Sequence, residues 1–294
     1  MLDRTSPVGA ILIKAGQVFY AICLAVQGIL QLIYGDFRPA ILPEWTSQNP
    51  ALVICARVGG AALLGACIAI VMGKRGREVA LILGGLFLAS VLFCQIPYAL
   101  LVNPRSINLF SWGGPFNALV MAGCSFVVAA SYTEGARNAA RQSSLLRGLE
   151  KVMPFGRILF CITILRFGIG HFLHTKHDAA LIPGWIPWHM FWTYFTGAAL
   201  VGSGAAVIAK IKLRPVAALL ATMLFLWVVM LHVPRAIADP YSGQGNEIES
   251  AAHALADSGT ALLIACSAWC SDRLRRTIGT QPPRDGHGSL IERS

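Results

Sequence analysis

Residues 166–185, RFGIGHFLHTKHDAALIPGW, realign on residues 26–45, VQGILQLIYGDFRPAILPEW, when the chain is slid against itself by 140 positions. No gap is needed. Gly28 meets Gly168, Ile29 meets Ile169, Ala40 meets Ala180, Pro43 meets Pro183 and Trp45 meets Trp185. At an offset of 137, Gly60-Ala-Ala-Leu-Leu-Gly65 meets Gly197-Ala-Ala-Leu-Val-Gly202, and Pro97 meets Pro234. At 136, Asn117-Ala-Leu meets His253-Ala-Leu, and Gly123 meets Gly259. A self-match that keeps glycines, prolines and tryptophans in register predicts a tandem duplication, so any fold proposed for one half must also serve the other.

Each copy contains four apolar runs. They fall at about 11–34, 51–72, 79–102 and 113–131, then at about 155–174, 189–209, 215–234 and 250–270. Runs near 20 residues are long enough to cross a bilayer. Only 13% of the 294 residues are charged and mean hydropathy is +0.62, against about a quarter charged in soluble domains. The predicted fold is all-α and integral to the membrane, with eight transmembrane helices arranged as two parallel four-helix repeats. Residues 1–132 form the first repeat, 133–155 a basic linker with a short interfacial helix, 156–270 the second repeat, and 271–294 a basic, disordered tail. The run that follows the N-terminal segment continues to Tyr34 and reads as a retained first span.

The net charge of +10 does not point to nucleic acid, because the basic residues sit in short tracts between apolar runs. The N-terminal segment, the 2–3, 4–5 and 6–7 connections and the tail hold 18 of the 24 Lys and Arg. The other four connections hold one each: Arg38, Arg105, Lys176 and Arg235. The positive-inside rule predicts both termini in the cytoplasm, and the expected location is the bacterial inner membrane, with the lipid bilayer as the main partner. The 35–50 connection is expected to pack at the interface, with Trp45 as an aromatic anchor. Pro97 is expected to interrupt its helix and free the carbonyl of Phe93. The eight cysteines contain no Cys-x-x-Cys. Cys23, Cys67, Cys124 and Cys161 read as small packing residues, and a Cys55–Cys94 disulfide is one alternative.

That topology gathers the polar residues at one end. His171 and His174 close the fifth span, His232 and Arg235 close the seventh, and His253 opens the eighth. Glu249, His253 and Asp257 are spaced by four and form one stripe along a helix. A carboxylate two turns into a span costs roughly 3 kcal/mol and calls for a partner. Arg166 is the expected one: at 1.5 Å rise it lies about 7–8 Å below His171, and Asp257 about 6 Å below His253. Val26 and Met121 hold these positions in the first copy. Gln31, Gln95 and Asn117 stand where the second copy has His171, His232 and His253. Amides keep hydrogen bonding but lose proton exchange near neutral pH and most metal affinity. The second copy is therefore expected to hold a ligand pocket made from His171, His174, His232, Arg235, His253, Asp257, Arg166 and Trp185. The first copy is a scaffold or a degenerate site. His171, His232 and His253 are also the candidate metal ligands, of types that suit zinc, copper or haem iron. Set against this, histidine and tryptophan at span ends are also ordinary interfacial residues.

The four-span unit with a polar end to its first span, the PGWIPWHMFWTYFTGAALVGSG stretch at 183–204 and LHVPRAIADP at 231–240 resemble the DoxX-like family of bacterial membrane proteins. Both copies resemble the unit, and the tandem arrangement departs from it. The resemblance implies a membrane-redox setting, with membrane redox proteins as partners; the pocket residues themselves leave a quinone-like amphiphile, haem and a divalent metal as alternative ligands. Two further classes stay open: a small-solute transporter or channel, and a non-catalytic membrane assembly factor. A transporter would need polar residues continuing inward, and the sequence shows little below Asp257 and Arg166.

Overall fold

The computed structural model describes residues 7–43, 50–101, 112–132 and 143–279, with side chains as far as Ser267. Regular structure among these residues is entirely helical. Helices α1 (Pro7–Tyr34) and α2 (Pro50–Met72) form the first hairpin. Helix α3 (Gly76–Ser90), a π-helical turn (Val91–Gln95) and α4 (Ile96–Leu101) make one rod, and α5 (Gly113–Ser131) packs back on it. The short α6 (Ser144–Val152) leads into α7 (Gly156–Leu173), followed by α8 (Thr175–Leu181) and α9 (His189–Ile208). Helix α10 (Leu213–Trp227), a second π-helical turn (Val228–His232) and α11 (Val233–Ala238) form another rod, and α12 (Asn246–Gly279) ends the described chain.

Seven of these rods are long and apolar enough to cross a membrane. The chain is an α-helical, multi-pass membrane protein. Helix α12 is less apolar because it carries Glu247, Glu249, His253 and Asp257, yet it is deeply enclosed. Ala256, Asp257, Ser258, Thr260, Ala261 and Leu263 on it are all buried. It runs antiparallel to α1: Gly245, just before it, meets Leu30, and Gly259 meets Gly16.

Consecutive rods are neighbours, and α12 packing on α1 closes the ring. Helices α5 and α12 also meet across the middle. Helices approach closely where both present glycine, since in lipid packing rather than hydrophobicity holds them together. A Cβ on Gly28 would stand 2.7 Å from the Gly60 carbonyl, and one on Gly168 would stand 2.9 Å from that of Gly197. Likewise Gly16 lies against Gly259, and Gly156 against Gly123. The apolar faces of α2 and α9 that point outward (Ile54, Val58, Phe191, Phe195) are exposed, as lipid-facing residues should be.

Both π turns sit just ahead of a proline. Pro97 and Pro234 have no N–H and crowd the carbonyl four residues back. The helix relaxes by widening, so Ile96 N–H donates to Val91 O and Val233 N–H to Val228 O. Gln95 and His232 are the last residues of these turns, a place where side-chain register shifts.

Several expectations need correcting. The eighth helix does not end at Cys270 but continues to Gly279. Residues 271–278, SDRLRRTI, contain neither Gly nor Pro and include good helix formers, so nothing stops the helix before Gly279. The rest of the tail lies outside the described residues, as do Trp45 and residues 133–142 of the linker. Cys55 and Cys94 are both free thiols. The interfacial helix of the linker is α6, with Leu146, Leu149 and Val152 packed on the core and Arg77 Nη2 donating to Glu150 Oε1 at 2.7 Å.

Candidate functional site

A cavity of about 480 Å³ opens at the end of the bundle where the histidines lie. Its size falls in the range of roughly 300–1,000 Å³ typical of small-molecule sites. Two walls are polar. Helix α7 and its end supply Arg166, His171 and His174, and α12 supplies Glu249, His253 and Asp257. The opposite walls are mostly apolar, with Trp192, Thr193, Thr196 and Leu200 from α9 and Leu224, Trp227 and Leu231 from the α10 rod. His232 and Arg235 sit at the outer end of that rod; Asp178 and Leu181 of α8 also line the cavity, as do Pro39, Asn117 and Val120 of the first copy.

Seven of the eight predicted pocket residues therefore line one cavity. Trp185 does not; it lies in the turn between α8 and α9, largely exposed. Trp192 and Trp227 supply the cavity's aromatic surface, packed edge to face with centroids 6.3 Å apart. Of the first-copy amides, Asn117 lines the same cavity, whereas Gln31 and Gln95 are buried elsewhere. Gln95 Nε2 donates to Pro39 O at 2.8 Å. Neither amide atom of Gln31 has a hydrogen-bond partner.

The α12 stripe is organised from outside its own copy. Arg38, in the connection after α1, is buried and donates through Nε to Glu249 Oε2 at 2.7 Å. Its Nη2 donates to the same oxygen, and its Nη1 to Gln244 O at 3.1 Å. The other carboxylate oxygen, Oε1, stands 3.6 Å from His253 Nε2. Glu249 is in the first turn of α12, ahead of the apolar run. Burial pushes its pKa up, but the hydrogen bond and charge of His253, then those of Arg38, outweigh it and hold the carboxyl below its ordinary value. His253 Nε2 also lies 2.9 Å from the amide Nε2 of Gln27 on α1.

The expected Arg166–Asp257 pair does not form. Both residues line the cavity, but the Arg166 guanidinium lies over the rings of Phe116 and Phe167, 5.4 Å from each centroid. Asp257 Oδ1 accepts from Cys124 Sγ at 3.7 Å. Helical rise gave the two residues similar heights, but it does not fix their directions around the helices.

The metal expectation also needs correcting. Among the described residues, no three His, Cys, Asp or Glu side chains are grouped to hold a metal ion. His171, His232 and His253 share a cavity without converging as ligands. His171 Nδ1 donates to Phe167 O at 2.8 Å, which turns its Nε2 away from that carbonyl as the hydrogen-bond acceptor. His253 is engaged by Gln27 and Glu249. His232 sits on the α10 rod close to the cation of Arg235, whose Nη2 donates to Glu247 at 2.5 Å.

Among the residues that the sequence reading passed over, Arg38 and Gln27 brace the α12 stripe, and Thr196 and Trp227 line the cavity. Arg38 carried a signal, as the lone Lys or Arg of its connection. Gly35, at φ +70°, turns the chain inward after α1. Ser90 Oγ then pins the segment by donating to Ile41 O.

A family model described as a domain of unknown function (DUF8561) matches residues 160–269, a span close to the second copy. No curated protein and no solved structure matches the chain.

Proposed function

We propose that this membrane protein binds a quinone-class amphiphile in the cavity of its second copy, in a redox-associated role. The observation that carries the reading is the division of the cavity into polar walls from α7 and α12 and mostly apolar walls from α9 and α10. A quinone ring needs that contrast: hydrogen-bonding groups for its oxygens and flat apolar surface for its faces. His171 offers a ring nitrogen, and Thr196 Oγ1 is buried without a hydrogen-bond partner. An imidazole ring has one nitrogen that donates and one that accepts, so His171 or His253 can take or return the proton that accompanies quinol oxidation or quinone reduction. The DoxX-like resemblance points to the same chemistry.

The finer architecture belongs to the same proposal. We read α12 as an eighth span and the chain as two parallel four-span repeats, with both termini on the cytoplasmic side of a bacterial inner membrane. Two observations support the duplication: π turns 137 residues apart, and glycine contacts that recur at the offsets of the sequence match.

The test is titration of detergent-purified protein with decylubiquinone and with menadione, reading tryptophan fluorescence, with Trp192→Phe/Trp227→Phe as the reporter control. Saturable quenching is expected. His171→Ala and His253→Ala should each weaken it about tenfold, the loss of roughly one hydrogen bond of 1.4 kcal/mol. Quenching that does not saturate, or that both variants leave unchanged, would remove the quinone reading.

A further inference from the structure

Below the cavity, polar side chains continue toward the opposite, Lys/Arg-rich end of the bundle. They come from the first copy. On α1, Gln17, Tyr20, Cys23 and Gln27 recur every third or fourth residue, and all are buried. Helix α5 faces them with Cys124, Ser125 and Ser131, also buried. The contacts form successive rungs. Gln27 Nε2 is 2.9 Å from His253 Nε2, and Asp257 Oδ1 is 3.7 Å from Cys124 Sγ. Tyr20 Oη is 2.5 Å from Ser125 Oγ. Gln17 Nε2 donates to Ser131 Oγ at 2.9 Å. Ser131 is the last residue of α5, and Lys14, one turn before Gln17, bonds Val71 O at the end of α2.

The row is long. His253 to Asp257 covers about 6 Å along α12, and Cys124 to Ser131 about 10 Å along α5. Together they span about 16 Å of a hydrocarbon core near 30 Å. Polar groups at that depth are costly, and helix cohesion between α1 and α12 is already served by the Gly16–Gly259 contact.

We infer that this row is a proton route joining the cavity to the basic end of the protein. Serine, tyrosine, carboxyl and imidazole groups both donate and accept hydrogen bonds, so each can pass a proton on. Gln17 and Gln27 orient the ends. A proton entering beside Ser131 passes through Ser125 and Tyr20 to the Asp257 carboxylate. At each step one O–H bond breaks as the next O–H bond, or at His253 the N–H bond, forms; Ser125 and Ser131 turn their hydroxyls away from the Met121 and Val128 carbonyls to which they donate at 2.7 and 2.6 Å, and no electrons move. Tyr20 and Ser125 are in direct contact, whereas the steps from Ser131 to Ser125, about 9 Å along α5, and from Tyr20 to Asp257 require bridging water. From Asp257 the proton reaches His253, one turn away in the cavity wall. The inference does not depend on which ligand the cavity holds.

The experiment uses the full chain in phosphatidylethanolamine/phosphatidylglycerol vesicles with pyranine trapped inside, and proton uptake driven by a potassium gradient and valinomycin. Wild-type vesicles should acidify about tenfold faster than protein-free ones, and Tyr20→Phe and Asp257→Asn should lose most of that gain. Tyr20→Phe keeps the ring, and its melting temperature and menadione titration should match wild type, which separates route from fold and from ligand binding. Wild-type vesicles no faster than protein-free vesicles, or Tyr20→Phe vesicles as fast as wild type, would overturn the inference and leave the row as helix-to-helix adhesion.

Discussion

Arg38→Met is expected to destabilise the protein by about 3–5 kcal/mol, because it leaves the Glu249 carboxylate buried without its cation. Both side chains are almost fully enclosed, at 4% and 8% exposure, so solvent does little to screen the loss. The double substitution Arg38→Met/Glu249→Leu should recover most of the stability, since it removes both buried charges together. Thermal unfolding in detergent checks the pair. A single-mutant cost below about 1 kcal/mol would mean that the pair behaves as a solvated surface bridge. The acid limb gives a second check. Glu249 has its carboxyl pKa depressed in the folded state. Its contribution is therefore present above the unfolded value of about 4.3 and fades as pH falls through the lower folded value. Wild type and Arg38→Met should accordingly converge in stability on acidification.

The same pair ties the halves of the chain together. Arg38 belongs to the first copy, Glu249 opens α12, and Glu249 also holds His253 in the cavity wall. Arg38→Met should thus disturb the proposed quinone binding through His253 even though Arg38 itself does not line the cavity.

Much of this arrangement was legible in the sequence, and the failures share a cause. Apolar run lengths placed the helices. Pro97 and Pro234 marked the two places where the helix widens. Grouping span ends by topology brought His171, His174, His232, Arg235 and His253 to one cavity. Each of these inferences concerns height along the membrane normal, which residue number fixes through helical rise. What failed concerns direction around an axis or the path of a connection. Arg166 and Asp257 have similar depths but turn to different partners. Trp185 is in the expected connection but on its outside. Arg38 reaches α12 only because its connection folds inward. The expectation of little polarity below Asp257 is corrected by the polar row, whose inner half lies on α1 and α5 of the first copy, where single polar residues are dispersed among apolar ones.

Gly123→Val is expected to prevent accumulation of folded protein, and the comparison with Gly202→Ala makes the argument specific. A Cβ on Gly123 would lie 2.6 Å from Phe160 N and 2.9 Å from Gly156 O. Both obstacles are backbone atoms of α7, so no side-chain rotation relieves them, and α5 and α7 must separate. Overpacking usually costs about 1–3 kcal/mol, and more where the neighbour cannot yield. At Gly202 nothing lies within 4 Å of the added carbon, and Gly202→Ala should change stability by less than about 0.5 kcal/mol. Size-exclusion recovery and thermal melting of the two variants separate the cases. The duplication adds a stricter requirement. Gly123 against Gly156 corresponds, with the copies exchanged, to Gly259 against Gly16, where an added Cβ would lie 2.8 Å from the Gly16 carbonyl. Gly259→Val should therefore fail in the same way as Gly123→Val. If Gly259→Val folds normally while Gly123→Val does not, the two contacts are not equivalent and the α1–α12 seam is looser than the α5–α7 seam. If both fail, the helices of each copy are held to the other by the same close glycine contact, and the cavity sits in a frame that neither copy forms alone.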